Sequence, residues 1–100
     1  MDYVLTEHAQ DALEKRRIPL AWMDRAFNTP EATETDPMDP RLEHRLARIP
    51  EWGNRILRVI VNGKTTPPRI VTVFFDRRRT IPFHEAQGGS TGRRPVPDFE

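Results

Sequence analysis

The sequence predicts an α+β domain in which two N-terminal helices pack on an antiparallel sheet of three to four strands. Two stretches of the second half, Arg55 to Val61 (RILRVIV) and Arg69 to Phe75 (RIVTVFF), are rich in β-branched and aromatic residues and read as strands. Ahead of them, the apolar residues between Leu5 and Phe27 recur at helical spacing. The order ααβββ lets both helices cover one face of a meander. A chain of 100 residues with 36% hydrophobic and 31% charged content makes one domain with a modest core, so large catalytic architectures are excluded.

Each element has its own punctuation. In Leu5 to Ile18, Thr6 is placed to cap the first helix and Glu7 sits at the positive end of its dipole, with Lys15, Arg16 and Arg17 in the last turn where cations belong. Leu5, Ala9, Ala12 and Leu13 form the stripe expected to face the core; Arg16 falls in the middle of that stripe and His8 on its edge. Pro19 breaks the chain and opens a second helix, Leu20 to Phe27, with Leu20, Met23, Ala26 and Phe27 as its buried side. Asn28-Thr-Pro30 closes it. Three prolines between Pro30 and Pro40 mark an acidic loop with room for a short edge strand. Arg41 to Ile49 alternates as a strand, sending Leu42, His44 and Leu46 to one face and Arg41, Glu43 and Arg45 to the other. Pro50 to Asn54 is a turn, and Asn62 to Pro68 a long hairpin loop. A short fourth strand is expected near residues 80–83. The domain is therefore bounded at 1–83, and the Gly- and Pro-rich residues 84–100 read as a flexible tail that orders on a partner.

Composition narrows the chemistry. With no cysteine, a disulfide framework, a thiolate zinc site and a thiol nucleophile are all ruled out. Three histidines without close pairing make a metal site a poor expectation, and phosphate-binding loops, dinucleotide fingerprints and nucleophile elbows do not occur, so no cofactor is expected. The N-terminal residues carry neither a basic flank nor a long apolar run, so no signal peptide or membrane contact is expected and the cytoplasm is the expected location. Net charge is only +1, but residues 1 to 51 hold 11 acidic and 7 basic groups against 4 and 9 in residues 52 to 100, which allows one basic face.

Within the two strongest strands one polar residue stands at mid-length: Arg58 in the first and Thr72 in the second. Period-2 alternation puts Ile56, Arg58 and Ile60 on one face and Ile70, Thr72 and Phe74 on one face. If the faces coincide, a groove of imidazole, guanidinium and hydroxyl results, with His8 and Arg16 brought in by the first helix. Such a set suits metal-independent RNA cleavage: a base for the ribose 2′-hydroxyl, cations for the pentacoordinate phosphorane and an acid for the leaving oxygen. The candidate catalytic residues are His8, Arg16, Arg58 and Thr72. Arg41, His44, Arg45, Arg77, Arg78 and Arg79 are the candidate contacts to a nucleic-acid backbone. Equally simple structural roles are open to these residues. Arg16 can tie the first helix to the sheet through carbonyls or Asp76, and Arg77 to Arg79 can be an exposed turn. Trp22 and Trp52 are assigned to core or rim packing, because no row of spaced aromatics suggests base stacking.

The run His8-Ala9, then Arg16 and Ile18, then a short helix ending in Asn28-Thr-Pro30-Glu31, then RILRVIV and RIVTVFF, resembles a family of small uncharacterised bacterial domains. That family is related to BrnT and, more distantly, to the RelE/ParE toxin superfamily, and the resemblance spans about residues 3 to 76. It implies a RelE-like fold, the ribonuclease or translation-blocking activity of a toxin–antitoxin system, RNA and the ribosome as targets, and a cognate antitoxin as partner. His8, Arg16 and Thr72 match the family pattern. The chain departs from it at Ala12, where a basic residue is usual, at Arg17, where glycine is usual, and at Phe74 or Phe75, where a tyrosine is common. The alternative on the same fold is a non-catalytic protein-binding module whose polar groove is structural.

Overall fold

A computed structural model describes residues 2–79; the strand expected at 80–83, the domain boundary at 83 and the tail lie outside the described residues. Two helices, α1 (Glu7–Arg16) and α2 (Leu20–Asn28), pack on one face of a five-stranded mixed sheet. Its strands are β1 (Val4–Leu5), β2 (Ala32–Thr35), β3 (Leu42–Ile49), β4 (Arg55–Asn62) and β5 (Arg69–Asp76), laid out in the order β1-β5-β4-β3-β2. β3 to β5 form the three-stranded antiparallel meander that the sequence leads one to expect, and β2 adds an antiparallel edge strand in the acidic loop where the sequence leaves room for one.

The fifth strand corrects both the strand count and the expected ααβββ order. Leu5, assigned to the stripe of the first helix by spacing, instead joins Val4 in pairing in parallel with Arg69 and Ile70. The Val4 N–H donates to the Pro68 carbonyl at 2.9 Å and the Thr6 N–H to the Ile70 carbonyl at 3.3 Å. Two residues are too few to show a period-2 pattern, so β1 is defined by its partner and not by its own sequence.

Thr6 joins the two layers. Its Oγ1 accepts the Ala9 N–H at 3.1 Å, capping α1, and its hydroxyl donates to the Ile70 carbonyl at 2.8 Å. α1 then lies on β5 through Ala9 and Ala12, whose lack of bulk lets the helix approach the strand closely. α2 crosses β3 and β4 and buries Met23, Ala26 and Phe27. These side chains close over Ala47, Ile49, Leu57, Val59, Val61, Ile70 and Val73 in one core, with each fully buried Leu, Ile or Val stabilising by roughly 1.5–3 kcal/mol. No helix among the described residues is long and apolar enough to cross a membrane.

Arg16 departs from its expected place. Although helical spacing sets it in line with Ala9 and Ala12, it is exposed. α1 ends there: Arg17 turns left-handed at φ 53°, its N–H closes the last turn onto the Leu13 and Glu14 carbonyls, and Ile18 takes the buried position that Arg16 would have held. The long Arg16 stem lets its charge reach solvent beside the negative end of the helix dipole.

The left-handed conformation at Arg17 generates a prediction. A residue with a Cβ pays about 1–2 kcal/mol there, more than the entropy cost of glycine, so Arg17→Gly raises stability by about 0.5–1 kcal/mol. Thr6→Ala lowers it by about 1–2 kcal/mol through the lost cap. Urea denaturation of the two variants beside the wild type measures both.

Candidate functional site

The strand alternation that buries Leu57, Val59 and Val61 under the helices sends Ile56, Arg58 and Ile60 to the far face of the sheet. His44 pairs with Ile60, and Ile60 with Thr72, so His44, Arg58 and Thr72 share that face. Ile70 does not join them. A β-bulge between Ile60 and Val61 shifts the register, so that Val61 pairs with Ile70 and both point into the core. The bulge reverses the alternation expected at Ile70 while leaving Thr72 and Phe74 where period 2 puts them.

Arg58 is the hub of the far face, with 12% of its side chain exposed. Its Nε donates to Asp76 Oδ2 at 3.0 Å, its Nη1 donates to His44 Nδ1 at 2.8 Å, and Glu34 Oε1 lies 3.5 Å from Nη1. His44 Nε2 stands 2.7 Å from Asp36 Oδ1. Arg79 closes the set by donating to Glu34. The line Asp36–His44–Arg58–Asp76 thus runs from the end of β2 across β3 and β4 to β5. Arg58 pairs directly with Leu46 and Phe74, so its contacts to His44 and Asp76 are diagonal ones, which long side chains reach across a twisted sheet.

The donor inventory fixes the histidine. A guanidinium has donors only, so His44 Nδ1 accepts from Arg58, the ring proton sits on Nε2, and that proton is donated to Asp36. Both ring nitrogens are therefore used. The three carboxylates are held below their usual range. For Glu34 the main cause is the Arg79 hydrogen bond; for Asp36 it is the His44 hydrogen bond, followed by the Met38 backbone N–H. At Asp76 burial pushes upward, but the Arg58 hydrogen bond, the Arg78 backbone N–H and the neighbouring positive charges together outweigh it.

The other sequence candidates lie apart. His8 and Arg16 are exposed on α1, in the helical layer, so the sheet separates them from Arg58 and Thr72. The expected convergence of these four side chains in one groove does not occur. Arg16 does not reach Asp76 as a tie to the sheet, since Asp76 belongs to Arg58. Arg45 points to the helical side, where its Nη1 donates to the Phe27 carbonyl at 2.8 Å and its guanidinium sits 4.5 Å from the Phe27 ring centroid, capping the C-terminal end of α2. Arg41 is bonded to Asp39 and lies on a cleft of about 280 Å³ at the β2 edge, shared with Thr33, Glu43 and Lys64. Arg77 and Arg78 are exposed beyond β5, and Arg79 pairs with Glu34. Among the described residues no group of three or more histidine and carboxylate side chains is placed to hold a metal ion.

Sequence reasoning missed the carboxylates. Glu34 and Asp36 stand two apart in Ala32-Thr-Glu-Thr-Asp36, the spacing of a strand face, and Asp76 ends the β5 run. That alternation was the available signal.

A family model described as Domain of unknown function (DUF4258) matches residues 5–75, and the chain belongs to that family. The matched span contains α1, α2, β2, β3, β4 and nearly all of β5. No curated protein and no solved structure matches the chain significantly.

Two outcomes follow from the network. Removing its hub by Arg58→Met leaves Asp76 buried without its main partner and costs about 3–5 kcal/mol, and Asp76→Leu added to it costs much less than on its own; a double-mutant cycle by denaturation reads the coupling. Because Glu34, Asp36 and Asp76 are depressed in the folded state, their stabilisation is complete above the ordinary carboxylate range of about pH 4 and is lost as pH falls through their folded values. Stability measured from pH 6 downward therefore declines below about pH 5, and less steeply in Asp76→Asn.

Proposed function

We propose that this DUF4258 domain is a non-catalytic binding module. In this reading the far face of the sheet is structural, and recognition falls to the edges and ends of the sheet. The observation that carries it is the position of His44 between Asp36 and Arg58, which leaves neither ring nitrogen to accept a proton from a substrate. A general base must reach the proton it removes at hydrogen-bond distance, and His44 does so only by breaking the contact to Arg58. Arg58 in turn spends its donors on Asp76 and His44, so binding a phosphate would require breaking a buried ion pair.

A second reading, a toxin-like metal-independent ribonuclease or translation inhibitor of the BrnT and RelE/ParE kind, is favoured by one feature. His8 and Arg16, the residues of α1 that match that pattern, are both exposed and so accessible to an RNA or to the ribosome. In that reading a cognate antitoxin would cover them.

The two readings separate in one experiment. The chain is expressed from a tightly controlled promoter beside His8→Ala, with soluble yield and circular dichroism recorded, and the purified proteins are incubated with total RNA whose new ends are sequenced. The binding-module reading expects normal growth and no new ends. Growth arrest and cleavage by the wild type, both absent in a folded and equally abundant His8→Ala, would overturn it in favour of the toxin reading.

A further inference from the structure

Trp52 closes a 3-10 turn (Pro50–Trp52) between β3 and β4 and keeps 49% of its surface in solvent. It rests on Trp22 of α2, with ring centroids 6.3 Å apart, and Trp22 stands edge-on to Phe75 of β5 at 6.2 Å. Three aromatic rings that the sequence scatters are thus one contiguous platform. Its mounting is stiff. Glu51, beside Trp52, receives two hydrogen bonds from Arg25 of α2 at 2.9 and 2.8 Å, and the Arg25 hydrogen bonds bring its carboxyl down to about 2. Gly53 and Asn54 then reverse the chain with φ 68° and 59°, a conformation that glycine adopts without strain and asparagine tolerates.

Cations gather at this end of the domain. The Arg55 guanidinium lies 5.3 Å from the Trp52 ring centroid. Ile56, the neighbour of Arg55, pairs with Asp76, and Arg77 and Arg78, both exposed, form the turn that follows Asp76. Lys15, Arg16 and Arg17, all exposed, end α1; two residues later α2 begins and presents Trp22 to Phe75 and Trp52, so this cluster belongs to the same end of the sheet. Two carboxylates of this end are already engaged, Glu51 by Arg25 and Asp76 by Arg58, while Glu14 stays exposed within the Lys15–Arg17 turn. A half-exposed indole fixed among guanidinium groups suits a ligand with a planar face and a regular series of negative charges.

We propose that this end of the domain binds single-stranded nucleic acid, with an unpaired base stacked on Trp52 and phosphates held by Arg55, Arg77, Arg78 and the Lys15–Arg17 cluster. The inference rests on the binding-module reading and names its ligand. Stacking on tryptophan needs an unpaired base, because a duplex hides its base faces, and it tolerates any base identity. Phosphate contacts from three or four of these six cations at a time make the affinity salt-dependent, with a slope of log association constant against log salt of about −2 to −3.

Fluorescence anisotropy of labelled oligouridylate, oligothymidylate and a mixed-sequence duplex, titrated with the wild-type chain at low and physiological salt, tests it. Binding to one or both single strands with that salt slope, weaker binding to the duplex, and loss of affinity on the order of tenfold in Trp52→Ala are expected. The two single strands distinguish RNA from DNA as the natural source. Arg77→Glu with Arg78→Glu, which leaves the aromatic platform untouched, is expected to weaken binding and flatten the salt slope, and serves in place of Trp52→Ala if that variant unfolds. No binding to either single strand at low salt, equal binding to the duplex, or binding unchanged in both folded variants overturns the proposal. Cleavage of oligouridylate by the wild type would overturn the non-catalytic reading and leave the surface standing.

Discussion

The sheet is held across its width by the Arg58 guanidinium, and much of the domain's behaviour follows from the way that one group is satisfied. Arg58 sits mid-strand on β4, the centre of the five-stranded sheet, with its charge nearly removed from water. A buried charge of this kind costs several kcal/mol unless it is paired and hydrogen-bonded. Asp76 on β5 and His44 on β3 supply those bonds from either side, and Glu34 on β2 adds opposite charge. The partners are constrained in turn: His44 is oriented by Asp36, and Glu34 by Arg79. A slip of one residue in any strand would turn its member of the network into the helical core, so the network specifies register as well as holding it.

The two faces of the sheet are thereby given different work. Under the helices, small residues on α1 and larger ones on α2 fill the space above β3, β4 and β5 with apolar side chains, a non-directional attraction that tolerates conservative change. The far face uses directional, charge-assisted contacts that tolerate little, because loss of either partner strands the other. This division explains why polar residues in mid-strand need not signal catalysis here. Arg58, His44 and Thr72 share a face, yet the first two are already satisfied by neighbours within the fold.

The end of the sheet near Trp52 has the opposite character. Its indole is half exposed, its flanking arginines reach solvent, and its rigidity comes from contacts made elsewhere on the same residues' neighbours: Arg25 with Glu51, Trp22 with Phe75. Stiff mounting with unspent chemistry is what separates a surface suited to recognition from one that is structural, since a preorganised platform loses little entropy when it is covered. The polar far face has the chemistry but has spent it; the basic end has not.

Local rules in the sequence were enough for the helices, the three main strands and the alternation within each strand that sets His44, Arg58 and Thr72 among their own neighbours, because each depends on spacing along a single segment; that the three share one face rests on strand register. Thr6 as a cap was legible for the same reason, and so was the apolar stripe of α2 at Met23, Ala26 and Phe27, whereas Leu20, expected on the same side, stands 46% exposed in the first turn. Other features depend on partners distant in the chain. β1 is a strand only because β5 lies beside it; Ile70 changes face because one bulge absorbs Val71; Arg16 leaves the core because Ile18 enters it. Likewise, no pattern within a segment could say that Asp36 and Asp76 would meet His44 and Arg58, or that Trp22, Trp52 and Phe75 would touch. The sequence alone determined the two helices, the main strands and most of the residues they bury, since periodicity is a property of neighbours along the chain. Only the tertiary structure decided which charges cancel and which stay exposed, since that depends on strand order and register, which bring together groups dozens of residues apart.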